Sequence, residues 1–287
     1  MKIISFKAGG AQRFGVVTGG APEDGHAVDA TSMDPALPTV LDVLKAGALG
    51  RLAEWADGRS PDVSLAEVEL LPPVIGSAKV LCAGVNYANH RDEANAKQAE
   101  HPVIFTRFAD THLAHGRPLI IPAVAEHLDF EGELAAVIGR DVYREDIAAA
   151  SDAVAAWACY NDGSVRDWQF HASQWIPGKN FPATGGFGPW IVTAEEVGDE
   201  STLELSTRVN GETVQHASLK DLIFDVPALV SYISQFTPLH AGDLLVTGTP
   251  GGVGAFREPP LWLKPGDVVE VEIPRVGLLR NPVAAEA

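Results

Sequence analysis

In LDFEGELAAVIGR, residues 128–140, two glutamates stand two positions apart inside an otherwise apolar run, and no lysine or arginine lies between Glu126 and Arg140. Alternate residues of a strand share a face. Glu131, Glu133, Ala135 and Val137 therefore point one way, and Phe130, Gly132, Leu134, Ala136 and Ile138 the other. The two glutamate Cα atoms would sit roughly 6.5 Å apart. A helix is disfavoured by Gly132, and the pair Val137-Ile138 favours a strand. Like charges side by side raise each other's pKa unless a cation lies between them. A hard divalent ion with oxygen ligands is the natural cation for such a place. E-x-E also occurs on solvated strand faces, so the reading depends on further donors.

YNDGSVRDWQ, residues 160–169, supplies one. Asp162 falls where a strand runs into a Gly-Ser turn, and with Glu131 and Glu133 it makes three hard oxygen ligands. Asn-Asp-Gly is also ordinary turn chemistry. GKNFPATGGFGPW, residues 178–190, holds a single basic residue, Lys179, suited to a substrate carboxylate or carbonyl. The stretch reads as a loop, too rich in glycine for a core element. GVNYANHRDE places His90 and Glu93 three apart, on one face if helical, where a carboxylate orients an imidazole as a general base. An exposed helical His-Glu pair is the plain alternative. TGTPGGVG, residues 247–254, lacks both the P-loop lysine and the dinucleotide pattern, and suits close backbone approach to a small ligand, with Thr249 adding a hydroxyl. His112 and His115 lack a zinc-type partner cluster, and no G-x-S-x-G is present.

These residues need elements to hold them. KIISFKAGG and QRFGVVTGG read as two strands, PTVLDVLKAGALGRLAEWADG as helical, and SLAEVELLPPV as a strand ending at Pro72-Pro73. That pair marks a boundary between a small N-terminal domain, 1–73, and a larger one, 74–287. Beyond it, KVLCAGV, PVIFTRF and AAWACYND read as strands, and NYANHRDEANAKQA, IAAASDAV and FDVPALVSYISQF as helices. LELSTRVNGETVQ reads as a hairpin turning at Asn210-Gly211. The sum is a mixed α/β, β-rich chain without regular βαβ rhythm.

The 287 residues carry 46% hydrophobic side chains, enough for a sizeable core, and a net charge of −17. A nucleic-acid partner needs a basic footprint that is missing here, and an anionic membrane surface would repel this chain. With no long apolar span and no signal-like start, the expected location is the cytoplasm. Cys82 and Cys159 lie in apolar runs and are expected as buried thiols.

In order, GVNYANH, FEGEL, NDGSVRDWQ, GKNF, GFGPW, VNGE and GDLLVTGTPGGVG resemble the fumarylacetoacetate hydrolase family over about residues 74–283. The resemblance implies a β-roll catalytic domain, usually in homodimers, with a variable N-terminal piece. It implies Mg²⁺ or Mn²⁺ on Glu131, Glu133 and Asp162, Ca²⁺ being a further oxygen-seeking ion for the site. Lys179 matches the site lysine, and His90 with Glu93 the lid pair of smaller members. Arg166, Gln169 and Thr249 match positions that touch the pyruvyl end of a small keto-acid substrate. The reaction implied first is hydrolytic C–C cleavage of an acylpyruvate or related β-diketo acid, with a pyruvate enolate stabilised by the metal. Oxaloacetate-type decarboxylation, isomerisation or hydration, and sugar-acid hydrolysis or dehydration are the alternatives on the same site. One departure is Pro182, where many members carry Asp after the loop Phe; it removes a donor and a carboxylate near the distal pocket.

Overall fold

A computed structural model describes residues 1–97 and 99–287. Its organising element is the strand Gly132–Ile138, buried along its whole length. The alternation read from its sequence sends side chains into two different cores. Leu134, Ala136 and Ile138 pack with Leu205, Val271 and Leu279 of a second sheet and with Leu229 and Ile233 of the helix Val226–Phe236. Ala135 and Val137 pack with Val43, Leu44 and Leu52 of the helices Val40–Lys45 and Leu49–Ala56. Both faces are covered, so neither is the solvated face that E-x-E often marks.

Among the described residues, the larger sheet has twelve strands. Its main path runs from Val63–Ser64 through His26–Asp29, Ala11–Gly19, Lys2–Ala8, Gly185–Thr193, Val154–Asp162, Gly132–Ile138, Leu244–Val246 and Val80–Gly84 to Val103–Arg107. The opening strands continue the sheet through Ile3 opposite Ile191. Their hairpin turns at Gly9 and Gly10, both at positive φ, where a side chain would be strained. The second sheet, of five strands, contains the hairpin Glu204–Val209 and Glu212–Ser218. It turns at Asn210 and Gly211 with φ of 53° and 83°, the geometry that Asn-Gly favours.

Two expectations need correction. The glycine-rich stretch 178–190 is not a loop. After the short helix Ile176–Lys179 it becomes the strand Gly185–Thr193, buried except at its end, between Lys2–Ala8 and Val154–Asp162. Crowding favours glycine there. A Cβ on Gly185 would lie 3.0 Å from the Tyr160 hydroxyl, and one on Gly186 3.0 Å from Asn281 Oδ1. SLAEVELLPPV is likewise not one strand but Val63–Ser64, a turn of 3₁₀ helix, and Glu69–Leu71. Cys82 and Cys159 are buried and unpaired, and burial pushes both thiols up. No helix among the described residues is long and apolar enough to cross a membrane.

Candidate active site and metal centre

The site grows out of one strand pair. Gly132–Ile138 runs antiparallel to Val154–Asp162, with Gly132 opposite Asn161 and Glu133 opposite Tyr160. Glu131 lies one residue ahead of its strand, and its carbonyl accepts from the Asp162 N–H at 2.9 Å. Pairing thus brings Asp162 beside the two glutamates. One carboxylate oxygen from each of Glu131, Glu133 and Asp162 lies within 4.8 Å of the others, and all three residues are buried.

Cations surround this group unevenly. Lys179 Nζ donates to Glu131 Oε2 at 2.9 Å and to Asp162 Oδ2 at 2.6 Å. Arg107 Nη1 donates to Asp162 Oδ1 at 2.5 Å, and Arg166 Nη2 lies 2.8 Å from Glu131 Oε1. Glu133 receives only the Gly248 N–H, at 2.5 Å, and forms no ion pair among the described residues. Asp129, Glu131, Glu133 and Asp162 therefore face Arg107, Arg166 and Lys179, leaving one negative charge uncompensated.

The acids respond accordingly. Burial drives the Glu131 carboxyl up, but Lys179 and Arg166 outweigh it and bring it down to about 2. Burial and the charges of Asp162 and Glu131 push Glu133 well above the usual carboxylate range. Lys179 loses basicity to burial and regains more from Asp162 and Glu131, so it stays an ammonium. A buried all-oxygen set with one acid lacking a counter-charge fits a hard divalent cation. Glu131, Glu133 and Asp162 would hold it.

The remaining residues line or brace a cavity of about 190 Å³. His90, Glu131, Glu133, Arg166, Gln169, Lys179 and Thr249 line it; Asp162 and Glu93 stand behind. Phe105, Phe170, Trp175 and Phe256 supply apolar wall. His90 sits on the helix Ala88–Glu93, with Nδ1 2.8 Å from Glu93 Oε1. Glu93 Oε2 accepts from the Gly252 N–H at 2.8 Å, and Asn89 Oδ1 from the Gly251 N–H at 3.0 Å, so the glycine-rich loop anchors this helix. Gln169 accepts from Arg166 Nη1 at 2.7 Å. The Thr249 hydroxyl donates to the Gly132 carbonyl at 3.0 Å and accepts from Gln215 Nε2 at 2.8 Å. The nine candidate site residues His90, Glu93, Glu131, Glu133, Asp162, Arg166, Gln169, Lys179 and Thr249 are therefore at the cavity or directly behind it. His112 and His115 are elsewhere, bonded to Tyr160 and Glu23, and Pro182 is not among the described residues that line the cavity.

Sequence reasoning missed Arg107, Asp129 and Gln215. Asp129, fully buried, accepts from the Gly254 and Ala255 N–H groups and from Arg166 Nε at 2.8–2.9 Å. Its signal was a charge in an apolar run, next to the glutamates that were noticed; Arg107 ends the apolar PVIFTR in the same way. Gln215 carried no local signal.

The family model described as Fumarylacetoacetate (FAA) hydrolase C-terminal matches residues 79–284. The mitochondrial oxaloacetate tautomerase Fahd2a of Rattus norvegicus is 37% identical over 263 residues, spanning 90% of this chain and 84% of that protein. Its Homo sapiens counterpart FAHD2A is 34% identical over 290 residues, spanning 99% and 91%. Among solved structures, a fumarylacetoacetate hydrolase from Exiguobacterium antarcticum superposes over both full chains with TM-score 0.82 at 33% identity. A maleylpyruvate hydrolase from Sphingobium sp. SYK-6, in complex with manganese (II) ion and pyruvate, does so with TM-score 0.82 at 27% identity.

Proposed function

The chain belongs to the fumarylacetoacetate hydrolase family, and from that premise we propose that it is a divalent-metal-dependent enzyme interconverting the enol and keto forms of a compact 2-oxo acid of the oxaloacetate type. The observation that carries this reading is the cavity. At about 190 Å³ it falls below the roughly 300–1,000 Å³ of common ligand pockets. A space of this size suits a short acid better than a long acyl chain. The names carried by the relatives at 34–37% identity point the same way.

The oxygen donor set suits Mg²⁺ or Mn²⁺. An ion held by Glu131, Glu133 and Asp162 would supply Lewis-acid stabilisation of charge on an oxo or enol oxygen. Arg166 and Lys179 offer the substrate carboxylate its cationic partners. Gln169 fixes the Arg166 guanidinium in plane, and Thr249 presents a hydroxyl already oriented by Gln215. Glu93 accepts the Nδ1–H of His90, which leaves the Nε2 lone pair to take a proton from carbon 3 of the keto form and return it in the other direction.

The hydrolytic C–C cleavage implied by the motifs is the second reading. His90 oriented by Glu93 can equally activate a water, and the manganese-containing structural relative is a maleylpyruvate hydrolase. The experiment follows the ultraviolet enol band of oxaloacetate with enzyme and Mg²⁺, then with EDTA. Metal-dependent acceleration towards keto–enol equilibrium without pyruvate release is expected, and His90→Ala should lower it about 10²–10⁴-fold. No acceleration would sink the tautomerase reading. Metal-dependent release of pyruvate and a free acid from a small acylpyruvate would then establish hydrolysis.

A further inference from the structure

The reaction cavity shares a wall with a second chamber. Gly84, Val85, Ala96 and Trp175 line both the 190 Å³ cavity and a neighbouring space of about 170 Å³. On the far side of that wall the lining changes character. Arg91, Lys97 and His101 join Val103, Ile223 and Phe224, and none of these six touches the first cavity. An apolar chamber with basic side chains lies directly behind the acid-binding one.

Trp175 is the bulk of the partition. Its indole meets the Phe105 ring edge-on, at 5.4 Å between centroids and 73° between planes. It also lies flush against the backbone of Gly84, where a Cβ would come within 2.2 Å of Trp175 Cζ3. Gly84 ends the strand Val80–Gly84, and the missing side chain is what lets the ring reach that position. Trp175 in turn immediately precedes the short helix Ile176–Lys179, which ends on the site lysine. The ring is thus positioned from two sides, by a strand end and by an aromatic edge.

We propose that Trp175 determines substrate length: its indole closes the reaction cavity against the second chamber and confines the enzyme to compact oxo acids. With the indole gone the two spaces join, and the distal carboxylate of a longer oxo dioic acid reaches the chamber that Lys97 and His101 help to line. This inference rests on the oxo-acid reading of the site. The discrimination is steric. A wall of this kind in an apolar pocket is worth tenfold or more between substrates that differ by one or two methylenes.

The test uses the full chain loaded with Mg²⁺. Exchange of the carbon-3 protons with D2O, the proton-transfer step common to both acids, is measured by NMR for oxaloacetate and for 2-oxoadipate, two carbons longer, and binding of both acids is measured by calorimetry. Trp175→Ala should raise the ratio of kcat/KM for the longer acid over the shorter at least about tenfold. Trp175→Phe, which keeps an aromatic wall, should move it less than about threefold. Disturbance of Lys179 by either change would lower both acids together and leave the ratio unmoved. An unchanged ratio in a Trp175→Ala protein of parental Mg²⁺ affinity overturns the proposal. If Trp175→Ala does not fold, Gly84→Ala replaces it: the new methyl must displace the ring, so the ratio has to shift, and an unshifted ratio again overturns the proposal. If no variant turns over either acid, the oxo-acid activity fails on its own. Calorimetry then judges the wall: a tenfold gain for the longer acid confined to Trp175→Ala upholds it, and parallel affinities remove it.

Discussion

Glu133 differs from its neighbours in one respect: every other acid of the cluster has a cation in contact, and it has none among the described residues. Its carboxyl is pushed well above the usual range by burial and by Asp162 and Glu131. A folded-state value raised above the unfolded 4.5 gives stability that is complete below pH 4.5 and is lost as pH rises through the folded value. Without metal at pH 8 the residue is therefore a burden, either ionised without a partner or protonated at a cost. Glu133→Gln removes that burden and also removes a ligand. The metal-free variant should melt about 2 °C or more above the metal-free parent, of the order expected for a gain near 1 kcal/mol. Its Mg²⁺ affinity should drop at least about tenfold, and the rise in melting temperature on adding Mg²⁺, which linkage demands of the parent, should shrink with it. A Gln variant with parental metal affinity would take Glu133 out of the ligand set.

At the scale of elements, Asp129 joins the pieces. From the short strand Leu128–Asp129 it accepts the Gly254 and Ala255 N–H groups and pairs with Arg166, so one buried carboxylate ties the glycine-rich loop to the helix Arg166–Gln169. Asp129→Ala leaves Arg166 short of an anion and three amides, those of Phe130, Gly254 and Ala255, without an acceptor. Breaking a buried pair from one side costs about 3–5 kcal/mol, and urea denaturation should show that loss. A loss below about 1 kcal/mol would mean that the loop holds itself. The same joint marks where sequence reading stops. Glu131, Glu133 and Asp162 stood out because charge is costly in apolar strands, and the Asn210-Gly211 hairpin because few residues accept positive φ. The strand Gly185–Thr193 was illegible because its glycines have no side chains to alternate. They are there for what packs against them, Tyr160, Arg107 and Asn281, which come from distant parts of the chain. Gln215 was hidden for a related reason. Its partners Gly132, Thr249 and Pro250 are neighbours only once the two sheets have packed.

For the whole molecule, the balance of charge and burial decides how it meets acid. The net charge of −17 shrinks as pH falls, and the easing of self-repulsion favours the compact state. Two histidines, the half-buried His112 and the buried His115, oppose this. His112 accepts or donates against the Tyr160 hydroxyl at 2.9 Å, its ring between Tyr160 and Phe187. Burial and the Arg107 charge lower it from 6.5 to about 3. Burial also lowers His115, even with Glu23 beside it. A folded value below the unfolded one means that the unfolded chain takes up the proton first. The stability these rings contribute is intact above pH 6.5 and drains away as pH falls, for His112 down to about 3. Each such ring can remove up to about 1.4 kcal/mol per pH unit. Urea denaturation at pH 7.5 and 5.0, in EDTA and 0.15 M salt, compares the parent with His112→Asn, because metal-free Glu133 works in the opposite direction in both proteins and cancels from the difference. His112→Asn keeps a polar partner for Tyr160 but cannot titrate, so the parent should lose more stability, or gain less, than the variant on going to pH 5.0. Equal changes in the two proteins would mean that this ring is already protonated at pH 5.0.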